Sequence, residues 1–382
     1  MKILEITNFS SGICGVFARV KEESIRLASL GHEVRIFSSD LIKGGNGKRA
    51  KLDDKEGPVI IKRFKGTKFP FNESYMAWGK SVSGNLRKEI IDYHPDIIIA
   101  HAYRHTHTVI ASRVAKEIGA KSFLVAHAPF GEGSRGLLAK NYINLIHDPF
   151  VGRTTLSRFD KIITIAKWEE KYLKALGVPD EKMVYIPNGI PEEFFTQKKG
   201  KEEKRILFLG RVAPVKDIQA LIKAFSMVKD KEFLLDITGP AEESYLNELI
   251  LLIKKLKLND RVIFSKPIYN IKEKIEKIDS AKIFVLPSKR EGMPQSLIEA
   301  MAREKIVIAS KNDGSKELIN NDQNGFLFDI GDSQSLARLI DKSIKLNDKK
   351  MCIEARKSVE KFSWDKIIKK LDNLIKTSVR KK

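Results

Sequence analysis

The stretch that decides the fold is Ile283-Phe-Val-Leu-Pro287, which leads through a short polar segment into Glu291-Gly-Met-Pro-Gln-Ser-Leu-Ile-Glu299. The apolar run is typical of a parallel strand that is buried on both faces. The residues from Ser296 to Arg303 predict a helix, and Pro294 is suited to its first turn because an N–H group is dispensable there. A strand, a glycine-containing loop and a helix start therefore follow one another, and the free N–H groups of such a helix start favour an anion.

Two carboxylates, Glu291 and Glu299, stand eight positions apart across this loop and helix start. A carboxylate accepts hydrogen bonds from two hydroxyl groups at once, which a ribose or a hexose offers. The alternative is that each glutamate only complements the helix dipole, which is the commoner reason for an acidic residue near a helix start. The location directly after a strand end in an α/β chain favours the interpretation as a sugar site.

The composition indicates two domains and argues against a membrane span or a disulfide framework. The chain has 382 residues, of which 42% are apolar, and this is long for a single domain. No apolar run approaches the roughly 18 residues of a transmembrane helix. Met1–Thr7 is short and contains Glu5, so it predicts a first strand rather than a signal peptide. The chain has only two cysteines, Cys14 and Cys352, and they lie far apart in the sequence, which fits a reducing cytoplasm.

The net charge of +21 is spread evenly, with a similar basic excess in residues 1–190 and 191–382. A chain of this kind suits anionic partners, namely nucleotides, phosphorylated lipids or an anionic membrane surface. We expect no nucleic-acid partner, because aromatic residues are not interleaved with the basic ones.

Strand-like and helix-like segments alternate along the first half, as in a doubly wound parallel sheet. The predicted helices include Val16–Leu30, Val82–Tyr93 and Val109–Ile118. The predicted strands are Lys2–Thr7, Val34–Ser38, Val59–Phe64, Asp96–His101, Ser122–His127, Lys161–Ile165 and Val184–Pro187.

A turn at Asn188-Gly-Ile-Pro191 and the charged segment Gln197–Glu203 predict a linker, after which a second α/β run begins. An amphipathic helix over Ser363–Ser378, capped by Ser363, closes the chain. We therefore predict two Rossmann-like domains facing a cleft, with ligands beyond the carboxyl ends of the strands. The predicted domains are residues 1–190 and 191–362, followed by the terminal helix within 363–382. The predicted strands of the second run are Arg205–Gly210, Phe233–Thr238, Val262–Phe264, Lys282–Leu286 and Ile306–Ala309.

Two basic residues follow the first strand of the second run. Gly210 frees the backbone at the strand end, and Arg211 and Lys216 come next, ahead of a helix that Asp217 could cap. An arginine fork and a lysine point charge together suit a diphosphate. The alternative is that they are two solvated charges of a basic protein.

Further glycines also follow strand ends. Gly12 and Gly15 follow the first strand and would let a phosphate or sugar approach the backbone, although a tight turn explains them as well. They form neither a dinucleotide fingerprint nor a P-loop. Gly239 is a similar signal after a later strand, and Gly44-Gly-Asn-Gly47 is typical of a flexible loop.

The histidines are the remaining candidates for chemistry. A lone histidine is more often structural, but His127 ends a predicted strand that faces the cleft, which is a better position for a ligand contact than most histidines have. His101, His105 and His107 cluster after another strand, but no carboxylate or cysteine spacing accompanies them. We therefore predict no metal site.

Together these residues resemble one family, the retaining glycosyltransferases of family 4, which have the GT-B fold of two Rossmann-like domains. The resemblance covers nearly the whole chain and marks the family, but it does not specify a substrate. It is carried by Leu30-Gly-His-Glu-Val34, Pro95-Asp-Ile-Ile-Ile-Ala-His101, Ile186-Pro-Asn-Gly-Ile190, Leu209-Gly-Arg211 with Lys216, Pro287-Ser288 leading to Glu291 and Glu299, Ala300-Met-Ala302, and Asn324-Gly-Phe-Leu327.

The resemblance implies that the terminal helix within 363–382 crosses back and packs on the first domain. It also implies a role for each matching residue. Arg211 and Lys216 would hold the donor diphosphate. Glu291 would contact hydroxyls of the transferred sugar, Glu299 would hold the ribose, and His127 would lie near the sugar at the reaction centre. The other donor-binding positions would be Gly12, Gly15, Gly239, Pro267 and Ile268 beside the base, and the loop residues Gly292, Met293, Pro294, Gln295, Ser296 and Leu297.

Two departures from the family pattern leave details open. Gly12 and Gly15 are separated where the family often has adjacent glycines, so their exact roles stay open. Ser265-Lys-Pro267 stands where the family often has glycine, which leaves the base preference open.

We therefore predict a retaining hexosyltransferase that uses a nucleotide-diphosphate-sugar as a substrate. The acceptor would be a glycolipid, a polysaccharide precursor or a small molecule. We expect no cofactor and no metal, because Arg211, Lys216 and the helix start near Ser296 can stabilise the leaving diphosphate. Glu291 would contact a hydroxyl rather than act as a covalent nucleophile.

Two other classes of function remain as alternatives. A nicotinamide-dependent oxidoreductase shares the Rossmann architecture, but its dinucleotide fingerprint is missing. A binding protein for anionic lipid or nucleic acid would fit the charge, but it would not need Glu291 and Glu299 in a cleft.

We expect a cytoplasmic enzyme, with peripheral contact at the inner membrane face as an open alternative. Phe69-Pro-Phe71, Tyr75, Met76 and Trp78 lie beside lysines, and such a mixture can rest on anionic lipid. These aromatic residues would equally serve as core or cleft lining.

Overall fold

The computed structural model describes residues 1–8, 10, 15–42, 49–69, 72–77, 80–127, 143–196, 200–346 and 348–379, with the backbone only for 67–69, 72–77, 80–83 and 143–147. The chain divides into two compact units. The first unit is Met1–Pro187 with Lys366–Lys382, and the second is Asn188–Asp365. Gly12, Gly44–Gly47 and the side chains of residues 69–78 lie outside this description, so the expectations placed on them stay predictions.

The first unit is an α/β layer structure in which helices alternate with single strands or, between the first two helices, with a run of five strands. Its helices are α1 (Gly15–Ser29), α2 (Lys80–Tyr93), α3 (Thr106–Ile118), α4 (Arg153–Arg158) and α5 (Glu169–Ala175), with a π-helical segment at Ile143–Gly152 and a 3-10 turn at Asp180–Lys182. Its strands are β1 (Lys2–Ile6), β2 (Glu33–Ser39), β3 (Asp53–Glu56), β4 (Val59–Phe64), β5 (Thr67–Phe69), β6 (Asn72–Ala77), β7 (Ile97–His101), β8 (Lys121–Val125), β9 (Lys161–Thr164) and β10 (Met183–Tyr185).

Eight of these strands form one sheet in the order β10-β9-β8-β7-β1-β2-β4-β3. The pairs are parallel except for β3 with β4, and β5 and β6 form a separate antiparallel pair. Ile3 pairs with Val34 on one side and with Ile97 on the other, and all three side chains are buried. Strands β2 and β7 lie on opposite sides of β1 in the sheet. The carboxyl ends of β1 and β7 therefore flank a topological switch point, where open α/β sheets bind ligands.

The second unit repeats this architecture with a six-stranded, entirely parallel sheet in the order β13-β12-β11-β14-β15-β16. Its switch point lies between β11 and β14. Its strands are β11 (Arg205–Leu209), β12 (Leu234–Thr238), β13 (Val262–Ser265), β14 (Ile283–Leu286), β15 (Ile306–Ser310) and β16 (Phe326–Phe328). Its helices are α6 (Ile218–Met227), α7 (Glu243–Lys255), α8 (Ile271–Ser280), α9 (Gln295–Ala302), α10 (Asp313–Leu318), α11 (Ser333–Lys345) and α12 (Lys349–Val359), with 3-10 turns at Glu192–Phe195, Pro214–Lys216 and Glu360–Phe362.

The predicted fold class, two Rossmann-like α/β units, is confirmed. Val59–Phe64 has the predicted bounds, and β14 is fully buried, as its continuous apolar run requires. Sequence reasoning missed β3, β5, β6 and β16. Asp53–Glu56 is entirely charged and largely exposed at a sheet edge, so its composition is that of a loop.

The chain segments at the start and at the end of the second unit pair with each other. Ile190 forms a parallel bridge with Ser363, and the Trp364 ring lies against Gly189 so closely that a Cβ atom there would be 2.3 Å from it. This pairing places residues 188–190 and 363–365 in the second unit, three residues outside the predicted boundaries on each side.

The last helix, α13 (Trp364–Val379), returns to the first unit from Lys366 onward. Its Asp372 Oδ1 accepts a hydrogen bond from His32 Nε2 at 2.9 Å. Ser363 was predicted to cap this helix, and the structure shows the N–H of Asp365 bound at 2.7 Å by the carboxylate of Glu192. Among the helices in the described ranges, none combines the length and apolar character needed to span a bilayer.

Candidate active site

The loop between β14 and α9 carries the carboxylates that were predicted to bind sugar. Helix α9 begins at Gln295, and Pro294 precedes it in an extended conformation at the N-cap. Pro294 therefore stands one position before the predicted first turn, where its missing N–H is also harmless. Glu291 lies in the loop and Glu299 in the second turn of α9.

Lys216 and Glu291 form an ion pair at the switch point of the second sheet. The Lys216 Nζ to Glu291 Oε1 distance is 2.6 Å, and the two side chains are 20% and 11% exposed. The N–H of Lys289 donates to the carbonyl of Val215 at 2.9 Å, which ties the loop after β14 to the turn that carries Lys216. The structure thus brings together a predicted diphosphate ligand and a predicted sugar ligand that lie 75 positions apart in sequence.

Asp217 follows Lys216 in a left-handed conformation, with φ of 47°. It occupies the N-cap position of α6, but its side chain makes no capping hydrogen bond, so the predicted cap is wrong. Burial raises the pKa of Asp217, and the ammonium of Lys289 partly opposes this effect. A left-handed non-glycine residue costs of order 1–3 kcal/mol, and such residues cluster at ligand sites.

Glu299 forms a second lysine–glutamate pair in the same unit. Lys274 Nζ on α8 donates to Glu299 Oε1 at 2.6 Å, and only 5% of Glu299 is exposed. Burial raises the pKa of Glu299, while the Lys274 ammonium opposes the rise. Glu299 Oε2 is buried and has no hydrogen-bond partner among the described residues. A buried polar atom normally has a hydrogen-bond partner, so this oxygen is available to accept a hydrogen bond.

Arg211 is more exposed than the two lysines. Its guanidinium pairs with Glu242 at 2.5 Å, and their side chains are 38% and 45% exposed. An exposed pair of this kind contributes little to stability, so Arg211 can exchange its partner for a ligand anion at small cost.

The other predicted loop residues have distinct contacts. Met293 Sδ accepts from the N–H of Asn188 at 3.2 Å, and Gln295 Nε2 donates to the carbonyl of Gly189 at 3.4 Å. These two side chains therefore hold the chain where the second unit begins. The remaining residues are Leu297 in the core, Pro267 exposed in the loop after β13, and Ile268, Gly292 and Ser296 at intermediate exposure.

Gly239 has a packing role that the sequence did not reveal. Its φ is +146°, and a Cβ atom there would lie 2.0 Å from the carbonyl oxygen of Gly210. The ends of β11 and β12 are this close because the N–H of Gly210 bonds to Thr238 and the N–H of Val212 to Pro240. A side chain at Gly239 would separate these ends and displace the segment that carries Arg211.

A buried support beneath the Glu291 loop was also missed. Asn312 Nδ2 donates to the carbonyl of Ser288 at 3.0 Å, and Ser310 Oγ donates to the same oxygen. Gly314 lies so close that a Cβ atom there would be 2.8 Å from the carbonyl oxygens of Glu291 and Gly292. The only sequence signal for this support was the polar run after β15. Its residues contact the loop before α9, more than twenty positions earlier in the chain.

In the first unit, three buried side chains form a chain of hydrogen bonds. Glu5 Oε2 lies 2.5 Å from His101 Nε2, and His101 Nδ1 lies 3.0 Å from His127 Nε2. Glu5 and His101 are completely buried, whereas His127 is partly exposed. Burial raises the pKa of Glu5 to about 8 and lowers that of His101 to about 3. Burial also lowers the pKa of His127, with repulsion from His101 and Arg19 adding to the effect.

A buried ion pair on α1 borders this chain. Arg19 NH2 lies 2.6 Å from Glu23 Oε1, and both side chains are fully buried. The nearest ligand atoms of Glu5, Glu23 and His101 all lie within 4.8 Å of one another. His101 therefore has two carboxylate neighbours that no spacing in the sequence indicated. We assign no metal to this group, because the Arg19 guanidinium already supplies the positive charge beside Glu23.

The two later histidines have structural partners. His107 Nε2 lies 2.7 Å from the carbonyl oxygen of His101, and the His105 and His107 rings stack at 5.5 Å. Asn8 Nδ2 lies 3.3 Å from His105 Nδ1. Gly15 is the first residue of α1, and a Cβ atom built there meets no described atom. No described residue therefore lies close enough to require a glycine at this position.

Comparison with known families identifies both halves of the chain. Residues 189–362 match the family described as "Glycosyl transferases group 1". Residues 13–194 match the family described as "Glycosyltransferase Family 4". The two matches overlap at residues 189–194, close to the start of the second unit.

The chain is also similar to individual glycosyltransferases. It is 28% identical over 330 residues to the Bacillus subtilis "Putative glycosyltransferase EpsD", which is 80% of this chain and 81% of the relative. It is 29% identical over 236 residues to the "Capsular polysaccharide biosynthesis glycosyltransferase CapM" of Staphylococcus aureus, covering 58% of this chain and 59% of that protein.

Solved structures share the fold over the full length. The sucrose-phosphate synthase of Thermosynechococcus elongatus has a TM-score of 0.77 at 18% identity and covers 100% of both chains. HepE of Anabaena, solved in complex with UDP, has a TM-score of 0.77 at 17% identity, covering 99% of this chain and 100% of its own. At these identities the likeness concerns the fold.

Proposed function

The chain belongs to the group 1 glycosyltransferases of the family 4 type, and from this premise we propose that it transfers a hexose from a nucleotide-diphosphate-sugar to an acceptor hydroxyl with retention of anomeric configuration. The observation that carries the proposal is the Lys216–Glu291 contact of 2.6 Å at the switch point of the second sheet. One partner suits a phosphate and the other suits sugar hydroxyls, and they are adjacent.

Each charged partner has a task in the proposed reaction. A bound donor would place its diphosphate near Lys216 and Arg211 and its sugar hydroxyls near Glu291. As the bond between the anomeric carbon and the diphosphate breaks, negative charge grows on the leaving diphosphate. Cations that are fixed before the reaction stabilise this charge without reorganising.

Glu299 supports the nucleotide part of the proposal. Its Oε1 is held by Lys274, and its buried Oε2 has no partner among the described residues. A ribose hydroxyl would donate to Oε2 and complete the hydrogen bonds of the carboxylate. Lys274 keeps the carboxylate oriented for this contact.

Two sets of relatives suggest which donor and acceptor to test first. HepE was solved with UDP, with UDP and glucose, and with UDP-glucose, so we propose a uridine-diphosphate donor. The name of CapM refers to capsular polysaccharide biosynthesis. We therefore propose a carbohydrate hydroxyl of a polysaccharide precursor as the acceptor.

The experiment has two steps. Thermal shift with UDP, GDP, ADP, NAD and a DNA oligomer tests the class of ligand, and we expect UDP to raise the melting temperature. A screen of nucleotide-sugars for release of the nucleotide then identifies the sugar, and NMR of the product defines its anomeric configuration. Stabilisation by NAD or DNA but by none of the three nucleoside diphosphates would contradict the proposal.

A further inference from the structure

Aromatic and lysine side chains come together where β9 and β10 end, at one edge of the sheet in the first unit. Lys167 and Trp168 lie in the turn after β9, Lys171 and Tyr172 lie in α5, and Tyr185 is the last residue of β10. We call these five side chains the edge cluster. Aromatic and basic residues therefore alternate over residues 167–172, contrary to the expectation from the whole sequence that they are not interleaved.

The lysines and the rings of the edge cluster contact one another. Lys167 Nζ lies 5.9 Å from the centre of the Tyr185 ring, and Lys171 Nζ lies 4.9 Å from the centre of the Tyr172 ring. The Trp168 and Tyr172 rings meet edge to face, with their centres 5.8 Å apart and their planes at 87°. Both ammonium groups are thus close enough to be attracted by the negative face of a ring.

The backbone under the edge cluster is fixed by hydrogen bonds. Glu169 is fully buried, and its Oε2 accepts from the N–H of Ile165 at 2.9 Å. The N–H of Glu169 donates to the carbonyl of Ala166 at 3.2 Å, which closes the turn after β9. The N–H of Ile186 donates to the carbonyl of Thr164 at 3.0 Å and holds the end of β10 beside β9. The rings are therefore presented on an ordered backbone, which lowers the entropic cost of binding a ligand.

The positive charge of the edge cluster is sparse. Lys171 is exposed and forms no ion pair within the part of the chain that the structure describes. Lys174, further along α5, is paired with Asp180 at 2.9 Å and does not add to the cluster. A strand of nucleic acid carries a phosphate at every nucleotide and is followed by a longer row of cations. Two lysines beside the rings suit a ligand with fewer negative charges.

The edge cluster also lacks side chains that would enter a lipid layer. Its three rings, those of Trp168, Tyr172 and Tyr185, are partly exposed, so each offers part of its surface and none projects fully from the protein. A membrane-bound surface needs apolar side chains that reach the acyl boundary. Over the described residues of the first unit, the exposed large apolar side chains lie elsewhere, at Leu30, Leu52, Ile60, Phe150 and Val151.

We propose that the edge cluster binds an acidic carbohydrate chain, whose sugars carry carboxylate or phosphate groups. The C–H bonds of a sugar ring are attracted by the negative face of an aromatic ring, so sugars stack on Trp168 and Tyr172. Lys167 and Lys171 are four positions apart, as neighbours on one side of a helix are, and they bind two acidic groups along the chain. The choice of a carbohydrate rests on the proposed function, whereas the binding involves residues of the first unit alone.

The first test observes Trp168 directly. The chain has three tryptophans, so full-length protein labelled with ¹⁵N-tryptophan gives three indole N–H signals in NMR, and Trp168→Phe identifies one of them. Oligogalacturonate, with a carboxylate on every sugar, should shift the Trp168 signal, and an uncharged malto-oligosaccharide of equal length should shift it far less. Trp364 is buried in the second unit and serves as the internal reference. An unchanged Trp168 signal, or an equal shift with both oligosaccharides, would overturn the proposal.

The second test measures the affinity for oligogalacturonate by isothermal titration calorimetry. Lys171→Glu and Trp168→Ala should each weaken binding about tenfold, through loss of an ammonium group and of a stacking surface. Lys88→Glu, which changes an exposed lysine on α2 of the same unit, is the matched control and should bind as the native protein does. Because Lys171 is exposed, Lys171→Glu keeps the fold even where Trp168→Ala does not. Native affinity in folded Lys171→Glu would contradict the assignment.

Other polyanions test the choice of ligand. Phosphatidylglycerol vesicles and a thymidine oligomer are added to the labelled protein under the same conditions, and we expect neither to shift the Trp168 signal as oligogalacturonate does. A response to vesicles or to DNA that is lost in Lys171→Glu, without a response to oligogalacturonate, would overturn the carbohydrate assignment in favour of that partner.

These measurements separate the edge cluster from the proposed function. Binding of oligogalacturonate at Trp168 without glycosyl transfer to any acceptor would refute the proposed function and leave the carbohydrate site in place. Glycosyl transfer by a protein whose Trp168 signal ignores oligogalacturonate would refute the carbohydrate site and leave the function in place.

Discussion

The two units differ in the burial and the charge of the ionisable groups at their switch points. In the second unit, Lys216 and Glu291 are partly exposed and each is charged opposite its partner. In the first unit, Glu5 and His101 are fully buried, and burial drives both toward their neutral forms. The charged pair in the second unit suits the binding of a charged ligand by exchange of partners, whereas the buried groups in the first unit are kept uncharged.

This difference follows from the cost of desolvation. A surface ion pair such as Arg211–Glu242 is worth little, so an arginine that leaves its glutamate for a diphosphate loses little stability. A buried unpaired charge is far more costly, so a buried carboxyl group binds a proton instead. In the proposed function, charge at the second switch point would therefore recognise the donor, whereas the buried groups at the first switch point stay neutral.

The largest effect should come from the second unit. Lys216→Ala should reduce turnover by about 10²-fold or more, since removal of one fixed electrostatic donor has an effect of that size. Arg211→Ala should also reduce turnover, and the folding of both variants should survive because both residues lie in loops. Steady-state kinetics with the identified donor measures the effect.

The control for these variants is Lys255→Ala, which removes an exposed lysine in the last turn of α7. It should leave turnover unchanged although it lowers the net charge equally. Near-native turnover in both Lys216→Ala and Arg211→Ala would remove the distinction between the two units, because charge at the second switch point would then have no catalytic task.

A smaller effect concerns Glu299, whose proposed task is to bind the ribose of the donor. Glu299→Gln keeps the shape but removes the charge that strengthens a hydroxyl hydrogen bond, so donor-nucleotide affinity should fall about tenfold, or about 1.4 kcal/mol. Isothermal titration calorimetry with UDP measures it. Glu317→Gln, on α10, is the matched carboxylate-to-amide control and should bind normally. Equal affinity in Glu299→Gln and native protein would contradict a ribose contact.

Stability against pH should distinguish the first unit. The pKa of Glu5 is raised to about 8 from a usual value of 4.5, so between these values the folded protein binds more protons than the unfolded chain. The stability from this group is complete at the acidic end of the window and is lost as pH rises through about 8. The loss is at most about 1.4 kcal/mol per pH unit.

Glu5→Gln is the variant that isolates this term, because glutamine does not ionise. Denaturant unfolding at pH 6 and pH 9 should show a smaller decrease in the free energy of unfolding for Glu5→Gln than for the native protein. Identical decreases would mean that Glu5 is charged in the folded state, and the contrast between neutral and charged switch points would fail.

The sequence predicted the second unit's site better than the first because of how each is assembled. Glu291 and Glu299 lie in one strand–loop–helix segment, so local spacing predicts that they share a site. Glu5, Glu23, His101 and His127 come from β1, α1, β7 and the end of β8, and only the sheet order brings them together. A lone Glu5 in a first strand carries no local sign of its histidine partner.

The same reasoning explains the misses in the second unit. Gly239 was a weak signal because the atom that requires glycine belongs to Gly210, on another strand. The lysine partner of Glu299 lies on α8, 25 positions away, where a helix of alternating charges gives no reason to single out Lys274. Which charged residues pair across the fold depends on the three-dimensional arrangement of the chain. The residue types alone do not reveal that arrangement.

The smallest expected effect is that of a chelator, which should leave turnover unchanged. Lys216 and Arg211 can neutralise the leaving diphosphate, so the proposed transfer does not require a divalent cation. Activity is measured after dialysis against EDTA, with Mg²⁺ and Mn²⁺ added back separately to the same protein. Loss in EDTA with recovery by either ion would show that the lysine and arginine charges are insufficient. If Glu5→Gln then abolished the recovery, the cation would belong beside Glu5, Glu23 and His101, and the first switch point would hold a charge rather than neutral groups.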